Sequence, residues 1–122
     1  MYSIRKEFSF CASHFLRDLK EGHPCTRLHG HNYKVILHFA SSKLNKNGFV
    51  IDYRDLDVVK DWIDKTFDHR NLNDVLIGQP SAENIAFHIF YKVKDIMHTN
   101  LLTKVEVSET DKTFASYEPG HD

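Results

Sequence analysis

The sequence predicts an α+β domain, with strands at both ends of the chain enclosing two helices in the order strand, strand, helix, helix, strand, strand. Three observations carry that expectation. Residues 2–12 and 31–40 alternate apolar with polar side chains, the period of a half-buried strand. Residues 55–67 and 81–97 instead repeat their apolar positions at helical spacing. Two short strand-like stretches, 103–109 and 113–117, close the chain.

In the first stretch Ile4, Phe8 and Phe10 fall on one face, and Ser3, Arg5, Glu7 and Ser9 on the other. Residues 16–28 read as a polar loop containing Gly22 and Pro24. In the second stretch Tyr33, Val35, Leu37 and Phe39 alternate with Lys34, Ile36 and His38. Lys43 to Gly48 is a turn, and Asn47-Gly48 within it is a hairpin-type signal. From Asp55 to Phe67 the stripe is Leu56, Val59, Ile63 and Phe67, with Trp62 on its flank. Pro80-Ser81 opens the second helix, with Ser81 as cap, Glu83 at the positive end of the dipole, and Ile85, Ile89, Val93 and Met97 as the stripe. These elements make a four-stranded antiparallel sheet with both helices on one face. Such a sheet leaves two open edges and one uncovered face, which copies of the same chain can close, so a ring-like homo-oligomer is expected.

The chain has 122 residues, room for one domain over 1–122 and for a single core. Its composition, 41% hydrophobic and 27% charged, is that of a globular protein and excludes disorder. A formal net charge of −1 supplies no field to recruit nucleic acid or an anionic membrane. No apolar run approaches a membrane span, and Met1 to Glu7 lacks the apolar stretch of a signal peptide, so the cytoplasm is the expected compartment. Two cysteines make no disulfide scaffold.

Nine histidines in so short a chain point to chemistry. His29 and His31 lie two apart at the start of a strand and so face the same side, with Gly30 between them offering no bulk. His14 ends the preceding strand, where a hairpin partner brings it level with them. Three neutral imidazoles suit Zn²⁺, and three protein ligands with an open position mark a catalytic rather than a structural ion. Against this stands a loop with solvated histidines.

Cys25 leaves two possibilities open: a fourth ligand, which closes the coordination sphere and makes a structural Cys-His₃ site in a binding module, or a thiol beside the metal that transfers protons. Cys11, in the apolar strand, reads as a buried and inert thiol. Asp68 and His69, adjacent after the first helix, form a pair in which the carboxylate can orient the imidazole. Glu109 is either protection for an edge strand or a planar acceptor for a guanidine-like donor pair on a ligand. His23, His38, His88, His98 and His121 carry no readable role.

Five segments taken in order, Phe10 to Leu16, Cys25 to Tyr33, Asp68 to Asn73, Pro80 to Asn84 and Val107 to Thr110, together resemble the family of 6-pyruvoyl- and 6-carboxytetrahydropterin synthases. The match spans essentially the whole chain. The resemblance implies the tunnelling fold, in which subunit sheets join into a barrel and two trimers stack into a homohexamer with active sites between subunits. It implies His14, His29 and His31 as zinc ligands, Cys25 as catalytic thiol, and Asp68 with His69 as a dyad supplied across a subunit interface. It implies Glu109 as the anchor of the pterin ring, with Ser81, Glu83 and Asn84 shaping the pocket and Arg27 meeting the triphosphate. The implied substrate is 7,8-dihydroneopterin triphosphate.

Cys25 precedes His29 with three residues between them, a short spacing that resembles the bacterial 6-carboxytetrahydropterin synthases; the animal pyruvoyl-forming enzymes carry a longer insertion there. A folate-linked branch carries Glu at or near the thiol. The carboxy-forming lyase of queuosine and deazapurine biosynthesis, releasing acetaldehyde and triphosphate, is therefore the expected activity, with the pyruvoyl-forming lyase as the alternative. One departure is that Ser81-Ala82 stands where the family more often has Thr-Ser or Thr-Thr, so Ala82 offers the pterin no hydroxyl.

Overall fold

A computed structural model describes residues 1–120, so His121 lies outside the described residues. The first strand, β1, runs Tyr2–His14 and the second, β2, runs His29–Ser41. Helix α1 spans Asp57–Thr66, β3 is Arg70–Asn71, α2 is Leu72–Val75, and α3 spans Ala82–Met97. Strands β4 (Leu102–Thr110) and β5 (Thr113–Tyr117) complete the chain.

The sheet has five strands in the order β3-β1-β2-β4-β5. The four expected strands, β1, β2, β4 and β5, are all present and pair antiparallel with one another. The fifth, β3, is an addition of two residues pairing parallel to β1 at Ala12 and Ser13. Two residues carry no periodicity, which is why alternation does not reveal it. The first helix begins later than its apolar stripe does: Tyr53–Leu56 form a 3-10 turn whose cap, Asp52, accepts a hydrogen bond from the Arg54 amide at 2.9 Å. The Asn47-Gly48 turn forms with Gly48 at φ +83°, but it leads into the helical layer and not into a returning strand.

One face of the sheet carries the core. Phe8, Phe10, Ala12, Tyr33, Val35, Leu37, Phe39, Val105 and Val107 are buried there against Val59, Ile63 and Phe67 below α1 and Ile85, Ile89 and Val93 of α3. Both helices place their apolar stripes on this layer, as period-3.6 faces must. Phe10 stacks on Tyr33 with centroids 4.9 Å apart and on Phe67 at 5.3 Å, and this aromatic column lies directly below the histidines. The other face carries Arg5, Glu7, Ser9, Cys11 and Ser13 of β1, the odd-numbered set.

Cys11 is therefore not the buried thiol the sequence suggests. It is exposed on the uncovered face, where its Sγ–H donates to Asn32 Oδ1 at 2.9 Å. Its neighbours Phe10 and Ala12 take the core side, and alternation sends Cys11 the other way.

Candidate active site

The β1–β2 register brings the histidines together. His14 pairs with His29, and Ala12 pairs with His31, so all three side chains project from the core face at one end of the hairpin. One donor nitrogen from each lies within 4.8 Å of the others. Gly30, between the two β2 ligands, has only the Ala12 carbonyl nearby, 3.7 Å from where a Cβ would sit.

Backbone carbonyls set the tautomers. His14 Nδ1 lies 2.7 Å from the Pro80 carbonyl, and His29 Nδ1 lies 2.7 Å from the Arg27 carbonyl. A carbonyl only accepts, so each Nδ1 carries the proton and each Nε2 presents a lone pair. Yet His14 Nε2 and His29 Nε2 are 3.0 Å apart. Two lone pairs at that distance repel; nothing bonds them to each other. His31 Nε2 is buried and makes no hydrogen bond to the described residues. Three buried or half-buried nitrogen lone pairs converging on one point fit a cation. Donors about 3.3 Å apart are what a tetrahedral zinc with bonds of about 2.0–2.1 Å requires, so the residues present fit the ion. Burial, opposed by the Glu109 charge and aided by His14 and His29, holds the His31 imidazole below its ordinary value, in the neutral form that ligates.

Around the cluster, Glu109 of β4 reaches to 3.5 Å between its Oε2 and His31 Nε2. Glu109 also lines a cleft of about 330 Å³ with Glu83, Ala82, Phe114 and Ser116, between the start of α3 and the β4–β5 hairpin. Ser81 and Asn84 serve the fold at the rim: Ser81 Oγ accepts from the Asn84 amide at 3.3 Å, capping α3, and Asn84 Nδ2 donates to the Gln79 carbonyl at 2.9 Å. Cys25 is half-buried in a 3-10 turn, Pro24–Thr26, and is not a member of the mutually close donor set. The Arg27 side chain is exposed, while its carbonyl orients His29.

Asp68 and His69 stand apart from these groups. Asp68 Oδ1 accepts from the Cys11 amide at 2.9 Å, and its Oδ2 lies 3.0 Å from His69 Nδ1. That amide, with smaller help from His69, holds the Asp68 carboxyl below its usual range. His69 has φ +58°, a left-handed conformation that a non-glycine residue adopts at some cost, and its side chain is 81% exposed. It lines a cleft of about 460 Å³ with Cys11, Ser13, Asn32, Arg70 and also His31 of the cluster. Cys11 and Ser13 turn into this cleft from the uncovered face, whereas the cluster side chains leave the core face of the same strands, with His31 bordering the cleft.

Tyr33 is a site residue that the sequence reading assigned only to the core. Its ring is edge-on to His31 at 5.5 Å and to His14 at 5.9 Å, and its buried hydroxyl makes no hydrogen bond to the described residues. Burial and the Glu109 charge push its pKa upward, so it stays a neutral donor. Its position two residues after His31 on the same strand face was the available signal. Of the unread histidines, His38 is bound to Glu106 at 2.5 Å on the uncovered face, and His88 is half-buried against Trp62 and Phe67.

Comparison with known proteins now bears on this geometry. A family model described as 6-pyruvoyl tetrahydropterin synthase matches residues 3–120. The chain belongs to that family. It is 39% identical to the 6-carboxy-5,6,7,8-tetrahydropterin synthase of Synechocystis sp., with 96% of this chain and 93% of the relative covered. It is 31% identical to the human 6-pyruvoyl tetrahydrobiopterin synthase, over 93% of this chain and 89% of that protein. The solved structure of the Caenorhabditis elegans 6-pyruvoyl tetrahydropterin synthase superposes with a TM-score of 0.87 at 27% identity, covering 98% and 96% of the two chains. The fold is the tunnelling fold, and the protein is an enzyme of the lyase class. No helix among the described residues is long and apolar enough to cross a membrane.

Proposed function

We propose that the protein is a zinc-dependent lyase that converts 7,8-dihydroneopterin triphosphate and one water to 6-carboxy-5,6,7,8-tetrahydropterin, releasing acetaldehyde and triphosphate, in queuosine and deazapurine biosynthesis in the cytoplasm. The observation that carries the metal assignment is the 3.0 Å approach of His14 and His29 Nε2, each with its Nδ1 committed to a carbonyl. His14, His29 and His31 would hold the ion, which would supply Lewis-acid polarisation that makes the C–H bonds of the substrate side chain more acidic.

The chain's own groups divide the remaining work. Glu109, half-buried beside His31, accepts from the amino group and ring N–H of the pterin, a planar donor pair that a carboxylate matches. Glu83 lies in the same cleft and shapes the pocket, with Ser81 and Asn84 fixing the start of α3 beside it. Cys25 takes and returns a proton as thiolate and thiol, and His69, oriented by Asp68 through Nδ1, does the same at the other side of the substrate. Because His69 lines the cleft that Cys11 and Ser13 enter from the uncovered face, the dyad serves the cluster of a neighbouring subunit, which makes the homohexamer a requirement for activity. Arg27, exposed near His29, meets the triphosphate.

The carboxy product is favoured over the pyruvoyl one by the short Cys25–His29 spacing and by the similarity to the Synechocystis relative. The closed Cys-His₃ alternative is disfavoured because Cys25 stands outside the donor set. Cys25→Ala tests this directly. Zinc at one per chain and an intact assembly, with turnover reduced about 100- to 10,000-fold, are expected of a proton-transfer thiol. Joint loss of metal and fold would make the site structural.

A further inference from the structure

The polypeptide leaving His14 is held by two carboxamide side chains. Asn73 Oδ1 accepts from the Phe15 amide at 2.9 Å, and its Nδ2 donates to the Phe15 carbonyl at 3.0 Å. Gln79 repeats the pattern two residues on: Oε1 accepts from the Arg17 amide at 2.8 Å and Nε2 donates to the Arg17 carbonyl at 2.8 Å. Each carboxamide thus pairs with the backbone as a residue of a neighbouring strand would. Alternate residues turn one way, and the residue between them turns the other. Accordingly the Leu16 amide points away from both and donates to the Cys25 carbonyl at 2.7 Å.

These contacts form a short chain from metal ligand to thiol. The Pro80 carbonyl holds His14, Gln79 next to it holds Arg17, and the Asn84 side chain holds the Gln79 carbonyl. No residue of the Pro24–Thr26 turn itself is buried, so packing of the turn does not fix where Cys25 sits. A carboxamide carries its acceptor and its donor side by side, so it can accept from the amide and donate to the carbonyl of one backbone residue. An acid of the same shape loses the donor and sets a charged oxygen against the carbonyl.

We propose that Asn73 and Gln79 are positioning residues: their paired backbone clasps fix residues 15–17 and, through Leu16, set where Cys25 sits relative to the histidine cluster. The inference rests on the reading of Cys25 as the reacting thiol. Neither residue touches the substrate; each acts through the loop.

The test uses the zinc-loaded enzyme with Asn73→Asp and Gln79→Glu made separately, beside Cys25→Ser. Three readouts are taken: kcat and KM, zinc per chain with the melting temperature, and the iodoacetamide alkylation rate of the Cys25 peptide relative to that of the exposed Cys11. Both clasp variants are expected to keep zinc, to lower the melting temperature by only several degrees for the lost donor, to hold KM within about threefold, and to lose up to about 100-fold in kcat, as an ångström-scale misplacement does. The Cys25-to-Cys11 alkylation ratio is expected to change at least about threefold in each. Unchanged kcat and alkylation ratio in both variants, with Cys25→Ser inactive, would overturn the clasp and leave the thiol reading standing. Full activity of Cys25→Ser would overturn the thiol reading instead, and the alkylation ratio would still decide the clasp. Loss of zinc and melting temperature in step with kcat would make both residues structural only and would overturn the proposal.

Discussion

The histidine cluster and the Asp68–His69 dyad are built from the same kinds of side chain but under opposite constraints. His14 is buried, and His14 and His29 are each fixed by a carbonyl at 2.7 Å. The three donor nitrogens of the cluster come from one chain and lie within 4.8 Å of one another. His69, by contrast, is exposed, takes a left-handed backbone at φ +58°, and lines the cleft that Cys11 and Ser13 enter from the uncovered face. Its conformation is held by Asp68 and by its own amide, which donates to the Cys11 carbonyl at 2.6 Å. The difference teaches that a strand face able to converge ligands cannot also present a residue from the opposite face. Under the proposed function, a second copy of the chain brings the two together.

The largest effect expected from breaking this pair of regions is at the cluster. His29→Ala should abolish stoichiometric zinc and lower turnover by at least about 1,000-fold, the scale of a Lewis acid contributing several kcal/mol. Metal analysis and product formation read both. His69→Ala should keep its zinc and lose about 100- to 10,000-fold in turnover, the range for a general acid or base. Mixing the two inactive chains after dissociation and reassembly then sharpens the comparison. Activity should return, because some interfaces pair an intact cluster with an intact dyad. Absence of recovery in verified mixed oligomers would place both groups in one chain.

How far the sequence already separated these regions depends on the distance over which each signal acts. His29-Gly30-His31 is a local pattern, and the two alternating strands bring His14 level with it, so the cluster was legible. The core stripes of α1 and α3 were legible for the same reason, since period alone exposes Val59, Ile63, Ile85 and Ile89. The side of the sheet on which Asp68–His69 emerges was not. It follows from β3, two residues long, and from the hydrogen bond between Asp68 and the Cys11 amide 57 residues away in sequence. The expectation of a buried Cys11 rests on its apolar side chain, whereas the alternation that turns Ser9 outward turns Cys11 outward as well. The carboxamides of Asn73 and Gln79 carry no periodicity at all, and only the folded chain shows what they hold.

Two smaller effects refine the contrast. The Asp68 carboxyl titrates lower in the folded chain than its ordinary value of 3.8, chiefly because of the Cys11 amide. Its contribution to stability is therefore fully present above that ordinary value and is lost as pH falls through the lower folded value. Asp68→Asn should flatten the acid limb of a stability-against-pH curve measured by chemical denaturation, without altering zinc content. At the cleft rim, Ser81→Ala removes the cap of α3 and should cost about 1 kcal/mol, seen as a lower denaturation midpoint with unchanged slope.

The most direct test of the central claim is mass analysis of the products formed from 7,8-dihydroneopterin triphosphate by the zinc-loaded enzyme. The account expects 6-carboxy-5,6,7,8-tetrahydropterin together with acetaldehyde and triphosphate, all three lost in His29→Ala. A pyruvoyl product without acetaldehyde would contradict the carboxy assignment, and unchanged substrate under the same conditions would contradict the account of the site as a whole.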